Sequence, residues 1–141
     1  MPKFVLRDAL VTVAGVDLSD HVTGVTITTT RPEVDVTAMG DDFQAFIGGI
    51  PDATVEVAYL QSFTAAKVDA THWPLVNSDT TFPVTVRAVN TTGSATNPTF
   101  VMGQSLLLGD YQPVAGDVGS AATTTVTYRN AGSLGIVRHT T

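Results

Sequence analysis

The 141-residue chain contains no cysteine. That excludes a disulfide framework, a thiolate metal site and a cysteine nucleophile. Lysine and glutamate, the usual residues of exposed helix faces, occur only twice each, so few surface helices are expected. Charged residues make up 14% of the chain, against roughly 25% in an ordinary soluble domain. Two explanations stand: a threonine-rich β surface, or a surface largely covered by neighbouring subunits. Seven Lys and Arg face thirteen Asp and Glu, for a net charge of −6. A groove that grips nucleic acid needs clustered cations, so that class is disfavoured, whereas a surface that must not stick to nucleic acid fits. No run approaches the roughly 18 apolar residues of a spanning helix, so no membrane contact is expected. Asp8 interrupts the first apolar run too early for a signal peptide, and a reducing cytoplasm is the expected place of synthesis.

What is abundant is β-branched: 20 Val, 23 Thr and 4 Ile, a third of the chain. These side chains are stiff at χ1 and suit a pleated surface. Twelve Gly and seven Pro supply turns. The pattern predicts strands over Leu10–Ala14, Val16–Leu18, Val22–Thr30, Glu33–Thr37, Ala53–Ser62, Phe82–Val89, Thr99–Leu108 and Ala122–Arg129, with Leu134–Thr141 a last strand or an arm. In Ala53–Ser62, Val55, Val57 and Tyr59 share one face and Thr54, Glu56, Ala58 and Leu60 the other. Phe63–His72 is the one helix expected, capped by Ser62 or Thr64 and ended ahead of Pro74. Phe63, Ala66, Ala70 and Trp73 fall on one stripe, with Trp73 as the core anchor. The fold class is mainly β: a sandwich or barrel of about seven to eight strands with one flanking helix, as a single domain over residues 1–141. Residues 1–8 read as an N-terminal arm.

No catalytic constellation emerges. Asp20–His21 and Asp69 with His72 are neighbours in sequence, which is not a triad geometry. Asp41–Asp42 lacks the alternating spacing of a calcium loop. Gly48–Gly49 and Gly116–Gly119 precede no Gly-Lys-Ser/Thr, so no phosphate cradle is expected. No enzyme activity, cofactor or metal is expected. The segment Ala38–Asp52 has no consistent period, yet it carries Met39, Phe43, Phe46, Ile47 and Ile50. A loop of that length is usually functional or disordered, and its apolar side chains argue against disorder; it reads as a docking loop.

Several segments, taken in order, carry a likeness. Val16-Asp17-Leu18-Ser19-Asp20-His21-Val22 precedes a Val/Thr strand, and Val34-Asp35-Val36-Thr37-Ala38-Met39-Gly40-Asp41 follows it. Gly48-Gly49-Ile50-Pro51-Asp52-Ala53 leads into Val55-Glu56-Val57, and Phe63 to Ala70 leads to Trp73-Pro74-Leu75. Thr96-Asn97-Pro98 and the run from Tyr111 to Gly119 come later. From about Leu10 onward the chain resembles the major tail tube proteins of long-tailed, non-contractile bacteriophages, especially those of actinobacterial hosts. The resemblance implies a small β-sandwich with a flanking helix, six copies of which join their sheets into a ring around a lumen. It implies rings that stack into a tube through which genome DNA passes, assembly around a tape-measure protein in the host cytoplasm, and a tail terminator and a distal tail protein at the ends. The expected location is the virion tail.

Two sets of site residues follow as expectations. Met39, Phe43, Phe46, Ile47 and Ile50 are expected at the contact between rings. Over Val22–Thr37, Val25, Ile27, Val34 and Val36 are expected against the core, leaving Thr26, Thr28, Glu33 and Asp35 towards the lumen or, alternatively, outside solvent. Two competing functions remain: a tail terminator or head–tail connector ring, which would not form long tubes, and a carbohydrate- or protein-binding β-sandwich. The latter should show clustered aromatics, and the chain has one Trp and three Tyr.

Overall fold

A computed structural model describes residues 6–140. Among them are ten strands: β1 (Leu10–Val13), β2 (Val16–Asp17), β3 (Val22–Thr30), β4 (Glu33–Asp35), β5 (Phe46–Gly48), β6 (Asp52–Leu60), β7 (Phe82–Arg87), β8 (Thr99–Leu107), β9 (Thr123–Asn130) and β10 (Ile136–His139). Helix α1 (Val68–His72) runs into a 3-10 turn at Trp73–Leu75, and a second such turn spans Ser19–His21. Eight strands form one antiparallel sheet in the order β2-β1-β7-β8-β9-β6-β3, with β10 also on β8. Strands β4 and β5 pair only with each other, as a separate hairpin.

The strands bury what their alternation dictates. In β6, Ala53, Val55, Val57 and Tyr59 are buried while Asp52, Glu56 and Leu60 are exposed. In β9, Thr124, Val126 and Tyr128 point inward. Together with Val11 and Val13 of β1, Val84 and Val86 of β7, and Met102 and Leu107 of β8, they make one core cluster. Side chains from both halves of the strand order meet there, so the sheet wraps round a single core. It does not close into a barrel, because its terminal strands β2 and β3 each pair on one side only. Strand β8 serves two neighbours along one edge. Thr99–Met102 pairs with β10 and Ser105–Leu107 with β9, while β7 occupies the opposite edge.

Five expectations need correction. The helix is five residues long rather than ten. Ala66 takes a left-handed φ of 60°, which a continuous helix does not allow, and Ser62–Lys67 forms turns, with the Lys67 amide donating to the Thr64 carbonyl at 3.1 Å. The Ser62 hydroxyl accepts from the Thr64 amide instead of capping α1. The helix therefore buries Val68, Thr71 and His72, not the Phe63–Trp73 stripe, and Trp73 is 61% exposed rather than a core anchor. Val34 and Val36 are exposed, because β4 leaves the main sheet at Arg31–Pro32. Ala38–Asp52 is not wholly irregular, since β5 lies within it. At the C-terminus, Ile136–His139 is a strand. The N-terminal arm over residues 1–8 falls mostly outside the described residues; Asp8 bridges to Val89.

The core holds one polar chain. The His72 Nδ1 lies 2.7 Å from the Val68 carbonyl, Nε2 meets the Tyr128 hydroxyl, and the Tyr128 and Tyr59 hydroxyls are 2.8 Å apart. A carbonyl can only accept, so Nδ1 donates to it and Nε2 of the neutral ring accepts from Tyr128. Tyr128, its proton committed, accepts from Tyr59. Each donor of this chain then has a partner, with the imidazole neutral. Burial is the leading cause that lowers the His72 pKa below its ordinary value, opposed by the Val68 carbonyl and by Asp69. Burial likewise raises the Tyr59 and Tyr128 hydroxyls.

Two outcomes follow. Tyr128→Phe leaves both the Tyr59 hydroxyl and His72 Nε2 unpaired and should cost about 2–4 kcal/mol; Tyr59→Phe strips no buried donor and should cost about 1 kcal/mol. Denaturant unfolding ranks the two. An unfolded histidine takes up a proton near 6.5, whereas the folded His72 resists it. Stability is therefore full above pH 6.5 and falls below it, by up to about 2 kcal/mol at pH 5. That slope between pH 6.5 and 5 should flatten in His72→Gln.

Candidate assembly surfaces

The face of the sheet opposite the core is built of threonine. Across β3, β6 and β9 the ladders set Thr26, Glu56 and Thr127 in one row, Thr28, Thr54 and Arg129 in the next, and Gly24, Ala58 and Thr125 on the other side. Thr30 and Thr123 extend the field at its ends. The alternation that buries Val55, Val57, Val126 and Tyr128 forces the intervening residues to this side. Thr26 and Thr28 thus belong to a larger surface that the sequence reading found only in part. The run Thr123–Tyr128 carried the missing signal, because its period of two puts Thr123, Thr125 and Thr127 together. Arg129 donates to Asp52 at 2.9 Å.

Glu33 and Asp35 are not on that face. They lie in β4, whose register with β5 pairs Glu33 with Gly48, Val34 with Ile47 and Asp35 with Phe46. One side of the hairpin therefore carries Glu33, Asp35 and Phe46, the other Val34, Val36 and Ile47. The hairpin is held by its own contacts. The Val36 amide donates to Ala45 O at 2.9 Å, the Ala45 amide to the Thr37 hydroxyl at 2.8 Å, and the Gly49 amide to Pro32 O at 2.7 Å. The Asp35 carboxylate accepts from the Thr37 amide at 2.9 Å, and hydrogen bonding to Thr37 lowers its pKa.

Every residue from Thr28 to Gly48 is exposed. Met39 is fully exposed, Phe43 is 87% and Ile50 88% exposed, and Phe46 and Ile47 are about half exposed. The stretch from β4 through β5 to Ile50 is an arm that carries five large apolar residues on both of its sides and gives none of them a core. It leaves the sheet at the Thr30–Asp52 end of β3 and β6. At the opposite ends of β6 and β9 lies the segment Gly109–Ser120, which exposes Val114 and Val118. That segment is tied down from below. Gln61 Nε2 donates to Pro113 O at 2.8 Å, and the Tyr111 hydroxyl donates to Asp69 at 2.8 Å. Burial raises the Tyr111 pKa to about 12.

Two of the open strand edges border the threonine face. β3 pairs only with β6, and Thr123–Thr127 of β9 pairs only with β6 because β8 joins β9 from Tyr128 onward. Where β8 and β9 part there is a groove of about 600 Å³, lined by Leu108, Gly109, Asp110, Thr125, Thr127 and Arg129. Asp20 bonds His21 at 2.8 Å and Lys67 at 3.0 Å, which together lower its pKa to about 2; this triad fastens the Ser19–His21 turn to the helix entry. Among the described residues no three His, Asp or Glu side chains gather to hold a metal ion, and Asp41 is engaged with the Ala38 amide.

No known family's sequence model matches the chain. No curated protein matches it either. Solved structures do. A chain in the virion of a native gene transfer agent particle superposes with a TM-score of 0.68 at 16% identity, over 92% of this chain and 95% of that one. A chain in the tail of an empty gene transfer agent particle, refined helically with C6 symmetry, gives 0.61 at 16% identity over 86% and 82%. A chain of the sheath–tube complex of an extracellular contractile injection system, in its extended state, gives 0.68 at 12% identity over 99% and 93%. At these identities the likeness is one of fold. The chain has the fold found in these tail and sheath–tube assemblies.

Proposed function

We propose that the chain is a structural subunit that polymerises into a tail tube of the phage type, as hexameric rings stacked end to end. The observation that carries this reading is the arm: five large apolar side chains between residues 39 and 50, exposed on and around a small hairpin, with no core of their own. Apolar surface left in water costs about 25 cal/mol per Å², and contiguous patches of it mark contact sites. The arm stands at one end of the strands and the exposed Val114 and Val118 at the other. Two different apolar ends favour a head-to-tail contact, which builds a filament rather than a closed dimer.

The open edges of β3 and β9 support growth in the second direction. Unpaired strand edges invite pairing with another chain, and joining β3 of one copy to the β9 side of the next would continue the sheet into a ring. The threonine face then becomes the channel wall. Thr26 and Thr28 line it with Thr54, Thr125, Thr127 and Glu56, while Glu33 and Asp35 meet the channel where rings join. Such a wall has high β propensity and little to hold a phosphate, which suits DNA passing through without binding. The sequence resemblance adds the non-contractile phage type, the tape-measure protein inside the tube, and the terminator and distal proteins at its ends.

Electron microscopy and light scattering of the purified protein test this. Rings that stack into tubes are expected at high concentration. A monomeric mass at all concentrations overturns the reading, and rings that never elongate favour a terminator or connector. Phe43→Asp should leave the strand signal and melting unchanged, since Phe43 touches no core, and should lower the tube yield at least tenfold. Normal tubes from that variant would remove the arm from the contact.

A further inference from the structure

The threonine face contains one cation. Among the outward residues of β3, β6 and β9, Arg129 is the only lysine or arginine, beside the acids Asp52 and Glu56. An arginine on a wall that DNA passes is a hazard, because its planar fork binds phosphate oxygens in pairs. Arg129 has an acidic neighbour that takes one nitrogen of that fork. Its guanidinium donates to Asp52 Oδ2 at 2.9 Å, and the other carboxylate oxygen, Oδ1, accepts from the Ala53 amide at 2.8 Å. That second bond fixes the carboxylate where β6 begins, diagonally across the ladder from Arg129, which stands opposite Thr54. Glu56 lies on the other diagonal, and Asp110 lines the same groove as Arg129. Both partners of the pair are about half exposed, and exposed pairs add little to stability, so folding gives no strong reason for it.

We infer that Asp52 is an electrostatic mask: it neutralises Arg129 and engages one nitrogen of its fork, so that a phosphodiester polyanion moving along the threonine face meets no bare cation. The inference rests on the reading of that face as the channel wall. It assigns Asp52 a role in the passage of DNA rather than in holding the subunit together. A surface that repels along its length but holds at one ring of arginines would stall its cargo at every ring.

The experiment compares tubes of the wild type, Asp52→Asn, and Asp52→Asn with Arg129→Gln, incubated with a short linear duplex or a closed circular plasmid. Asparagine keeps the oxygen that accepts from Ala53, so β6 should start unchanged. At about 50 mM salt, Asp52→Asn tubes should retain roughly tenfold more linear duplex than wild type; the gain should shrink by about 150 mM and vanish in the double variant. The plasmid, which has no end to enter a channel, should be retained by none. Equal retention by wild type and Asp52→Asn, or a gain that survives the loss of Arg129, overturns the masking role. A gain seen equally with plasmid upholds the mask but overturns the channel reading, because it puts the pair on the outer wall. If the variant does not polymerise alone, tubes doped with one variant subunit in three carry the same comparison.

Discussion

Strand β6 is the constraint on which the remaining surfaces depend. It pairs along its length with β3 on one side and β9 on the other, and its inward residues are Ala53, Val55, Val57 and Tyr59. A slip of one residue would put these in water and Thr54, Glu56 and Ala58 into the core. Fully burying one valine is worth about 1.5–3 kcal/mol, so three to four such side chains hold the register firmly. The register in turn fixes which threonines share the outer face and places Asp52 within reach of Arg129. The Tyr59 hydroxyl at the far end of the same strand anchors the polar chain that docks α1. One alternation therefore specifies the core, the outer face and the position of the helix.

The two ends of this sheet are built differently. At the Leu60 end, the side chains of Gln61, Tyr111 and Asp69 tie the chain to the helix and to the Gly109–Ser120 segment. At the Thr30 end, the arm is sustained only by its own short-range bonds. Local hydrogen bonds give it a shape, but its apolar side chains take no part in the subunit's core. Shape without burial separates this arm from an ordinary surface loop, and it reconciles the low charge of the chain with a fold whose core is modest.

Much of the sheet was legible because a period of two is hard to disguise. The alternation over Val22–Thr30 matches β3 at both ends, and the two faces that alternation assigns to Ala53–Ser62 are the buried and outward faces of β6. The same rule misled at Val34 and Val36. Alternation tells that residues share a side, not which sheet the strand joins, and the turn at Arg31–Pro32 takes β4 away from the core. β5 was invisible because three residues cannot display a period. The long helix failed on Ala66, whose left-handed backbone no propensity announces. For the candidate surfaces, exposure of the apolar residues at 39–50 could be suspected from their lack of pattern. The Asp52–Arg129 and His72–Tyr128 partnerships join residues more than fifty positions apart, and local sequence holds no trace of them.

Strand β8 belongs to two ladders on one edge, holding β10 along its first half and β9 along its last residues, with β7 behind both. A strand shared in this way acts as a structural beam. Tension applied along β9 is taken up by β8 as shear across hydrogen bonds that must break together, and β8 passes the load to β7 and β10 on the other limb of the sheet. Neither limb can bend without straining its neighbour. Resistance to stretching is therefore concentrated at the place where the strand order branches.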